Sequence, residues 1–170
     1  MAYEKELAVL AVAYFLGSLS PAHLLGKFKH VDVRKKGKFS NYGASNVRSL
    51  FGWKLGVAVA AVDILKGAAA AYLAVYLGLQ PVFAYACAAL VVIGHRFPFY
   101  LGFKGGKGVA AGSGAFLLLM LVFGTWASLA VGLVFYGYAV ATSPRLRKRK
   151  AAVAGILAAI LMVYFIRTAI

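Results

Sequence analysis

The chain has 170 residues, of which 63% are hydrophobic and 14% are charged, and its mean hydropathy is +0.84. This composition lies far outside that of soluble proteins and predicts an all-α integral membrane protein with one transmembrane domain over residues 1–170. The only cysteine, Cys87, lies in an apolar run, so the sequence offers neither a disulfide nor a cysteine-rich metal site. We expect no bound metal.

Hydropathy predicts a compact bundle of about six transmembrane helices with polar loops on the cytoplasmic side. A helix needs about 20 apolar residues to cross a bilayer core of about 30 Å. The predicted spans cover residues 7–25, 55–77, 82–93, 109–122, 125–141 and 151–166. The fourth and fifth spans are short, so they are either two crossings or one broken or re-entrant element that turns near Gly124.

Positive charge is concentrated in three loops, and the net charge is +15. Residues 27–54 hold eight Lys and Arg, residues 96–107 hold three, and residues 145–150 hold five, whereas residues 78–81 hold none. The positive-inside rule then places these loops in the cytoplasm and the N-terminus outside. The run at 145–150 favours contact with anionic membrane lipids, and we find no element typical of nucleic-acid binding.

Residues 104–108, KGGKG, precede the predicted fourth helix and are called the glycine loop below. Glycine lets successive backbone N–H groups converge on an anion, and the lysines and the following helix N-terminus add positive charge. The spacing does not match a Walker A loop. In the alternative interpretation, Gly108 and Gly112 only let helices pack closely, while the lysines extend to the membrane interface.

A second polar cluster, SNYGASNVRS, occupies residues 40–49 and is called the asparagine segment below. Its amides, hydroxyls and Arg48 are suited to binding phosphate, although a solvated loop has the same composition. In the second predicted span, Asp63 and Lys66 are three residues apart on one helical face. We expect them to form a structural polar pair.

Four stretches together resemble the bacterial acyl-phosphate:glycerol-3-phosphate acyltransferases, membrane enzymes of phospholipid synthesis. They lie within residues 17–114 and read GSLSPAHLLGK, DVRKKG followed by NYGASNV, DILKG, and GHRFPFYLGFKGGKGVA. The resemblance implies transfer of an acyl group from acyl phosphate to the 1-hydroxyl of glycerol 3-phosphate, giving 1-acylglycerol 3-phosphate. It also implies the bacterial inner membrane as the location, and no cofactor.

The resemblance assigns the glycine loop to glycerol 3-phosphate and the asparagine segment to the acyl-phosphate end of the site. Because the leaving group of an acyl phosphate is already good, the implied attack needs no covalent acyl-enzyme. Candidate catalytic residues are Ser40, Arg48 and His95, with His95 acting either as a general base or as a hydrogen-bonding partner of the backbone. The phosphate-binding residues that it implies are Asn41, Gly43, Ser45, Asn46, Lys104, Gly105, Gly106, Lys107 and Gly108.

Three features depart from the family pattern. Phe39 and Ser40 stand where the family places its serine, with one residue inserted. The family's arginine falls at Ser49, so Arg48 is one place early, or about 100° around a helix. The family's C-terminal H-x-x-N motif and glutamate are not found up to Ile170, which predicts a shortened chain or a divergent member. A non-catalytic phosphate- or lipid-binding paralogue and, less favoured, a small transporter are the alternatives.

Overall fold

The computed structural model describes residues 3–124 and 126–142 of the chain. These residues form eight α-helices and one 3₁₀ turn, and no strand occurs among them. The helices are α1 (Glu4–Ser18), α2 (Pro21–Phe28), α3 (Val33–Lys36), α4 (Ala44–Phe51), α5 (Trp53–Tyr76), α6 (Pro81–Arg96), α7 (Val109–Phe123) and α8 (Trp126–Thr142), and the 3₁₀ turn is Phe99–Leu101. The predicted all-α membrane fold is confirmed.

Two described helical segments are long and apolar enough to cross a bilayer, namely Trp53–Tyr76 and Pro81–Leu101. The bent pair α1 and α2 makes a third if it is one span, and α7 is a shorter apolar helix. The predicted sixth span, residues 151–166, lies outside the described residues. The count of six crossings therefore stays a prediction.

The first predicted span, residues 7–25, is broken between α1 and α2, which meet at an angle of 40°. Pro21 begins α2 and Ser20 caps it, its Oγ accepting from the His23 N–H at 3.2 Å. The Tyr100 hydroxyl donates to the Ser18 carbonyl at 3.0 Å and accepts from the Ser20 N–H at 3.1 Å. Because side chains satisfy the freed backbone groups, the break is stable in a membrane helix.

The described residues divide into two compact units, one that ends at Ala115 and one that begins at Phe116. In the first unit, α1 packs along α6, and α5 packs against both. A side-chain carbon at Gly17 would overlap the Val91 carbonyl, so glycine permits the close approach of α1 and α6. In the second unit, Gly132 of α8 lies against the Phe116 ring. The single domain over residues 1–170 stays a prediction.

The polar segment between α2 and α5 folds on a small hydrophobic core. Ala22, Val33, Tyr42, Val47 and Val59 are buried together, and they come from α2, α3, α4, α5 and the asparagine segment. This core fixes a stretch that hydropathy alone assigned to a polar loop. It thereby gives the asparagine segment a defined position beside the membrane helices.

Candidate functional site

Asn46, in the first turn of α4, holds the asparagine segment in place. Its completely buried side chain donates from the amide nitrogen to the carbonyls of Val33 at 2.7 Å and Asn41 at 2.8 Å. Its Oδ1 accepts from the Phe39 N–H at 2.8 Å. Both amide donors and the amide oxygen are thus used by backbone groups of the segment and of the residues that precede it. The predicted contact of Asn46 with phosphate stays a prediction that these bonds do not support.

Asp32 and Tyr42 order the start of the same segment. Asp32 caps α3, its Oδ1 accepting from the N–H groups of Arg34 at 3.0 Å and Lys35 at 3.2 Å, and from the Tyr42 hydroxyl at 3.3 Å. Burial by itself would raise the pKa of Asp32, but the backbone N–H donors, Tyr42 and the charge of Lys35 outweigh it and lower that pKa. Burial and the neighbouring Asp32 carboxylate raise the pKa of Tyr42.

The glycine loop folds back on the C-terminal end of α6. The Gly106 N–H donates to the His95 carbonyl at 3.0 Å, and the Gly105 N–H donates to the Arg96 carbonyl at 2.9 Å. These two N–H groups thus satisfy the last carbonyls of a helix. Their predicted convergence on an anion stays a prediction that these bonds do not support. The lack of side chains at Gly105 and Gly106 serves close packing, since a carbon at Gly105 would overlap the His95 carbonyl.

The asparagine segment and the glycine loop meet at one open cavity of about 550 Å³. The Tyr42 N–H donates to the Gly105 carbonyl at 3.2 Å and joins the two segments directly. A volume of about 300 to 1,000 Å³ is typical of small-molecule sites. The cavity is lined by Arg34, Ser40, Asn41, Arg96, Phe97, Phe103, Lys104, Gly105, Gly106 and Lys107.

The lining of the cavity is strongly cationic. It includes Arg34, Arg96, Lys104 and Lys107, and no carboxylate occurs among the described lining residues. Arg96 also lies over the Phe97 ring, with 5.5 Å from its guanidinium carbon to the ring centroid. Several cations that share an open cavity attract a phosphate strongly, and arginine can bind it through two parallel hydrogen bonds.

Six of the residues predicted for the site line the cavity, and the other six do not. Ser40, Asn41, Lys104, Gly105, Gly106 and Lys107 are in the lining. The described lining leaves out Gly43, Ser45, Asn46, Arg48, His95 and Gly108.

Arg48 and Ser49 show what the one-place shift in α4 does. Arg48 is exposed on α4, and its β-carbon lies against Gly56 of α5. Ser49, which stands at the family's arginine position, donates from Oγ to the Asn46 carbonyl at 2.7 Å and accepts from the Lys38 N–H at 3.3 Å. The side chain at this position is thus bonded to the local backbone and not directed to the described cavity lining.

Sequence reasoning missed Arg34 and Arg96, together with Phe97 and Phe103. All four lie inside quoted stretches of the resemblance or directly beside its lysines, in DVRKKG and GHRFPFYLGFKGGKGVA. A signal was therefore present in the sequence, because a basic residue that flanks a phosphate-binding loop is itself suited to binding phosphate. Only the fold shows that these two arginines reach the same cavity.

Asp63, Lys66 and His95 meet in the interior, where α5 faces α6. Lys66 Nζ lies 2.8 Å from Asp63 Oδ1 and 2.9 Å from His95 Nδ1. His95 Nδ1 lies 3.3 Å from the same Asp63 oxygen. All three side chains are buried. Among the described residues, no group of His, Cys, Asp and Glu is arranged to hold a metal ion.

The sequence model of the glycerol-3-phosphate acyltransferase family matches residues 7–170. The chain belongs to this family. The glycerol-3-phosphate acyltransferase 1 of Deinococcus radiodurans is 42% identical over 118 residues, which are 69% of this chain and 59% of that protein. The glycerol-3-phosphate acyltransferase of Geobacter metallireducens is 41% identical over 112 residues, which are 66% and 57% of the two chains. The chain of this family member thus spans less than two thirds of the length of these relatives.

Two solved structures share the fold of this family member. One is the crystal structure of PlsY (YgiH), an integral membrane glycerol 3-phosphate acyltransferase, in its glycerol 3-phosphate form, with a TM-score of 0.64 and 28% identity. The structural match covers 94% of this chain and 84% of the chain in that crystal structure. The lysophosphatidic acid form of the same protein gives a TM-score of 0.60. The likeness confirms the expected family and the membrane fold.

Proposed function

We propose that the protein is an acyltransferase that moves an acyl group from acyl phosphate to the 1-hydroxyl of glycerol 3-phosphate, giving 1-acylglycerol 3-phosphate. The observation that carries the proposal is the cavity of about 550 Å³ with four cations in its lining, where the asparagine segment meets the glycine loop. Each of the two substrates carries a phosphate. A cationic cavity offsets their mutual repulsion and fixes their relative orientation.

In the proposed reaction, the glycerol 1-oxygen bonds to the acyl carbon, and the bond from that carbon to the phosphate oxygen breaks. The products are the ester and inorganic phosphate, and the hydroxyl proton leaves with the phosphate. Cationic donors stabilise the negative charge that develops on the carbonyl oxygen and on the departing phosphate. The chain supplies positioning and charge rather than a covalent nucleophile.

Lys104 and Lys107 of the glycine loop are proposed to bind the phosphate of glycerol 3-phosphate. Ser40 and Asn41, which also line the cavity, are proposed to contact the acyl phosphate, with Ser40 as the catalytic hydroxyl. The contacts of Gly43, Ser45 and Gly108 with phosphate are proposals without support from the cavity lining. The same holds for the catalytic roles of Arg48 and His95.

The proposed site faces the cytoplasm in the bacterial inner membrane, with the N-terminus outside. The excess of basic residues in the two segments that form the cavity supports this orientation. Membrane lipids would surround the acyl chain of the donor. We propose no nucleic-acid partner.

Purified protein in lipid nanodiscs, supplied with palmitoyl phosphate and radiolabelled glycerol 3-phosphate, tests the proposal. We expect labelled lysophosphatidic acid and inorganic phosphate in equal amounts. Lys104→Ala should raise the KM for glycerol 3-phosphate by about tenfold or more, since one charge-assisted contact is lost. Lys36→Ala, which removes an exposed lysine outside the cavity lining, is the matched control. Wild-type protein that forms no product above background would overturn the proposal.

A second candidate, a paralogue that binds phosphate without turnover, is favoured by the position of Arg48 outside the described cavity lining. It predicts saturable binding of glycerol 3-phosphate by calorimetry and no ester formation. Restoring the family's register with Arg48→Ser and Ser49→Arg would then be expected to produce turnover. Turnover by the unaltered protein excludes this candidate.

A further inference from the structure

Asp63, Lys66 and His95 form a buried group, called the charge cluster below, and His95 of this group contacts the glycine loop. We propose that the charge cluster positions this loop. His95 is the positioning residue, because Lys66 on α5 holds its ring and the ring in turn contacts Gly106. The inference deepens the proposed function and rests on it in its kinetic part. Its structural part concerns only the described contacts.

The first step is the tightness of the cluster. The exposed fractions of Asp63, Lys66 and His95 are 1%, 6% and 5%. Lys66 Nζ contacts both Asp63 Oδ1 and His95 Nδ1, at 2.8 Å and 2.9 Å. Buried charges among apolar helices are costly unless they are paired, so any displacement of one member is opposed by the other two.

The second step is the contact between His95 and the glycine loop. With Nδ1 held by Lys66, the opposite edge of the imidazole, Nε2, faces Gly106 so closely that a side-chain carbon there would overlap it. The His95 carbonyl also accepts from the Gly106 N–H at 3.0 Å. A change in the orientation of the ring therefore acts directly on Gly106, which lines the cavity between the two lysines.

The third step links the cluster to the break between α1 and α2. Lys66 Nζ donates to the Leu19 carbonyl at 2.5 Å, in the two-residue gap that separates these helices. Lys66 thus holds the gap and the ring of His95 at the same time. None of the three cluster residues is in the described cavity lining, which is why we assign positioning and not a direct part in the chemistry.

Hydrogen exchange by mass spectrometry, on the full chain in nanodiscs, tests the structural part without any need for turnover. Lys66→Met should speed exchange in a peptide over residues 102–108 by about tenfold, because the Gly105 and Gly106 N–H groups lose well-placed acceptors. A peptide over residues 68–76 of α5 should remain as protected as in the wild type. Lys54→Met, an exposed lysine on the same helix, is the matched control and should leave both peptides unchanged.

Kinetics supply a readout that a general loss of stability would not give. Lys66→Met should raise the KM for glycerol 3-phosphate by about tenfold and leave the KM for palmitoyl phosphate within about twofold, because only the loop side of the cavity is displaced. Equal changes in both constants would overturn the proposal. If wild-type protein has no acyltransferase activity, the proposed function fails, and the exchange measurement still decides the positioning role.

Two further variants keep the inference testable if Lys66→Met does not fold. Asp63→Asn with Lys66→Met removes both charges together and avoids an unpaired buried carboxylate. Gly106→Ala leaves the cluster's charges intact and displaces the ring of His95 from the loop side. Both should speed exchange in residues 102–108 alone. The proposal would be overturned if that peptide stayed as protected as in the wild type in either variant. It would also be overturned if both variants lost protection equally throughout the chain.

Discussion

The side chain of Asn46 makes three hydrogen bonds to the backbone, with Val33, Asn41 and Phe39. Asn46→Asp keeps the size of the side chain but replaces the two amide donors with a carboxylate oxygen. We expect a loss of about 1 to 3 kcal/mol in the free energy of unfolding, since the carbonyls of Val33 and Asn41 lose their hydrogen-bond donor. Thermal unfolding in detergent should show a lower Tm. Ser45→Ala, an exposed neighbour on α4, should leave the Tm unchanged, and an equal Tm for Asn46→Asp would contradict the scaffolding role.

The lowered pKa of Asp32 predicts that the free energy of unfolding depends on pH in the acid range. Its pKa in the folded protein is lowered from the ordinary value of 3.8, because the backbone donors of α3 and the Tyr42 hydroxyl outweigh the effect of burial. The stability that it contributes is therefore present above pH 3.8 and is lost as the pH falls through the lower, folded pKa.

Asp32→Asn should remove this acid-sensitive component while lowering the Tm at neutral pH. Measured between pH 6 and pH 3, the Tm of the variant should approach that of the wild type as the pH falls. Glu4→Gln, which removes an exposed carboxylate on α1, is the control and should run parallel to the wild type. A constant gap between Asp32→Asn and the wild type across this range would count against the assigned sign.

At the level of single residues, the sequence predicted Ser40, Asn41 and both lysines of the glycine loop because their chemistry suits phosphate. All four line the cavity, and their contact with phosphate stays a prediction. The sequence could not show which hydrogen bonds the loop's own backbone makes. Gly105 and Gly106 were expected to offer N–H groups to an anion, yet these groups end helix α6. Residue type fixes what a group can bind, whereas the fold decides whether another partner already occupies it.

At the level of helices, close contacts between α5 and α7 depend on glycine. A side-chain carbon at Gly67 would overlap the Ala111 carbonyl, and one at Gly114 would overlap the Ile64 carbonyl. Main-chain atoms cannot move aside as the tip of a long side chain can. These two glycines therefore let the helices approach more closely than any other residue would allow.

Gly67→Ala should destabilise the protein by about 1 to 3 kcal/mol, because the added methyl group forces the α5 and α7 backbones apart. Gly137→Ala is the matched control, a glycine of α8 with open space where the methyl group would lie. The control should be neutral or stabilising by up to about 1 kcal/mol, since alanine favours a helix. Tm values in detergent measure both, and a Gly67→Ala variant as stable as the control would refute the close packing.

Hydropathy predicted the apolar helices α5 to α8 to within a few residues at each end, because a long apolar run has few alternative structures. It did not predict the break between α1 and α2, where Tyr100 and Lys66 satisfy the freed backbone groups from distant parts of the chain. Nor did it predict the short helices α3 and α4. Their stability comes from tertiary packing on Val33 and Val47, which a local pattern does not record.

For the whole molecule, the cavity imposes a condition on topology. Arg34, Ser40 and Asn41 line the same cavity as Arg96 and residues 103–107, so the two segments that carry them must lie on the same side of the membrane. The helices α5 and α6 separate them, and the connection between these two helices, which includes Gln80, must then lie on the other side. The distribution of basic residues further predicts that the cavity side is cytoplasmic.

Single cysteines in a Cys87→Ala background test this arrangement with a membrane-impermeant maleimide. Lys36→Cys, Phe103→Cys and Gln80→Cys place the thiol at exposed positions on the two cavity segments and on the opposite connection. In spheroplasts, only the Gln80→Cys protein should be labelled, whereas inside-out vesicles should label the Lys36→Cys and Phe103→Cys proteins. The background protein without cysteine is the control for nonspecific reaction.

The possible results separate the cavity from its orientation. Labelling of Lys36→Cys and Phe103→Cys from opposite sides would contradict the shared cavity, because no rotation of the whole protein places one site on two faces. Labelling of both from outside, with Gln80→Cys from inside, would keep the cavity and reverse only the orientation. The first result would remove the basis of the proposed function. Lys104 and Ser40 would then lie on opposite sides of the membrane and could not bind two phosphates in one cavity.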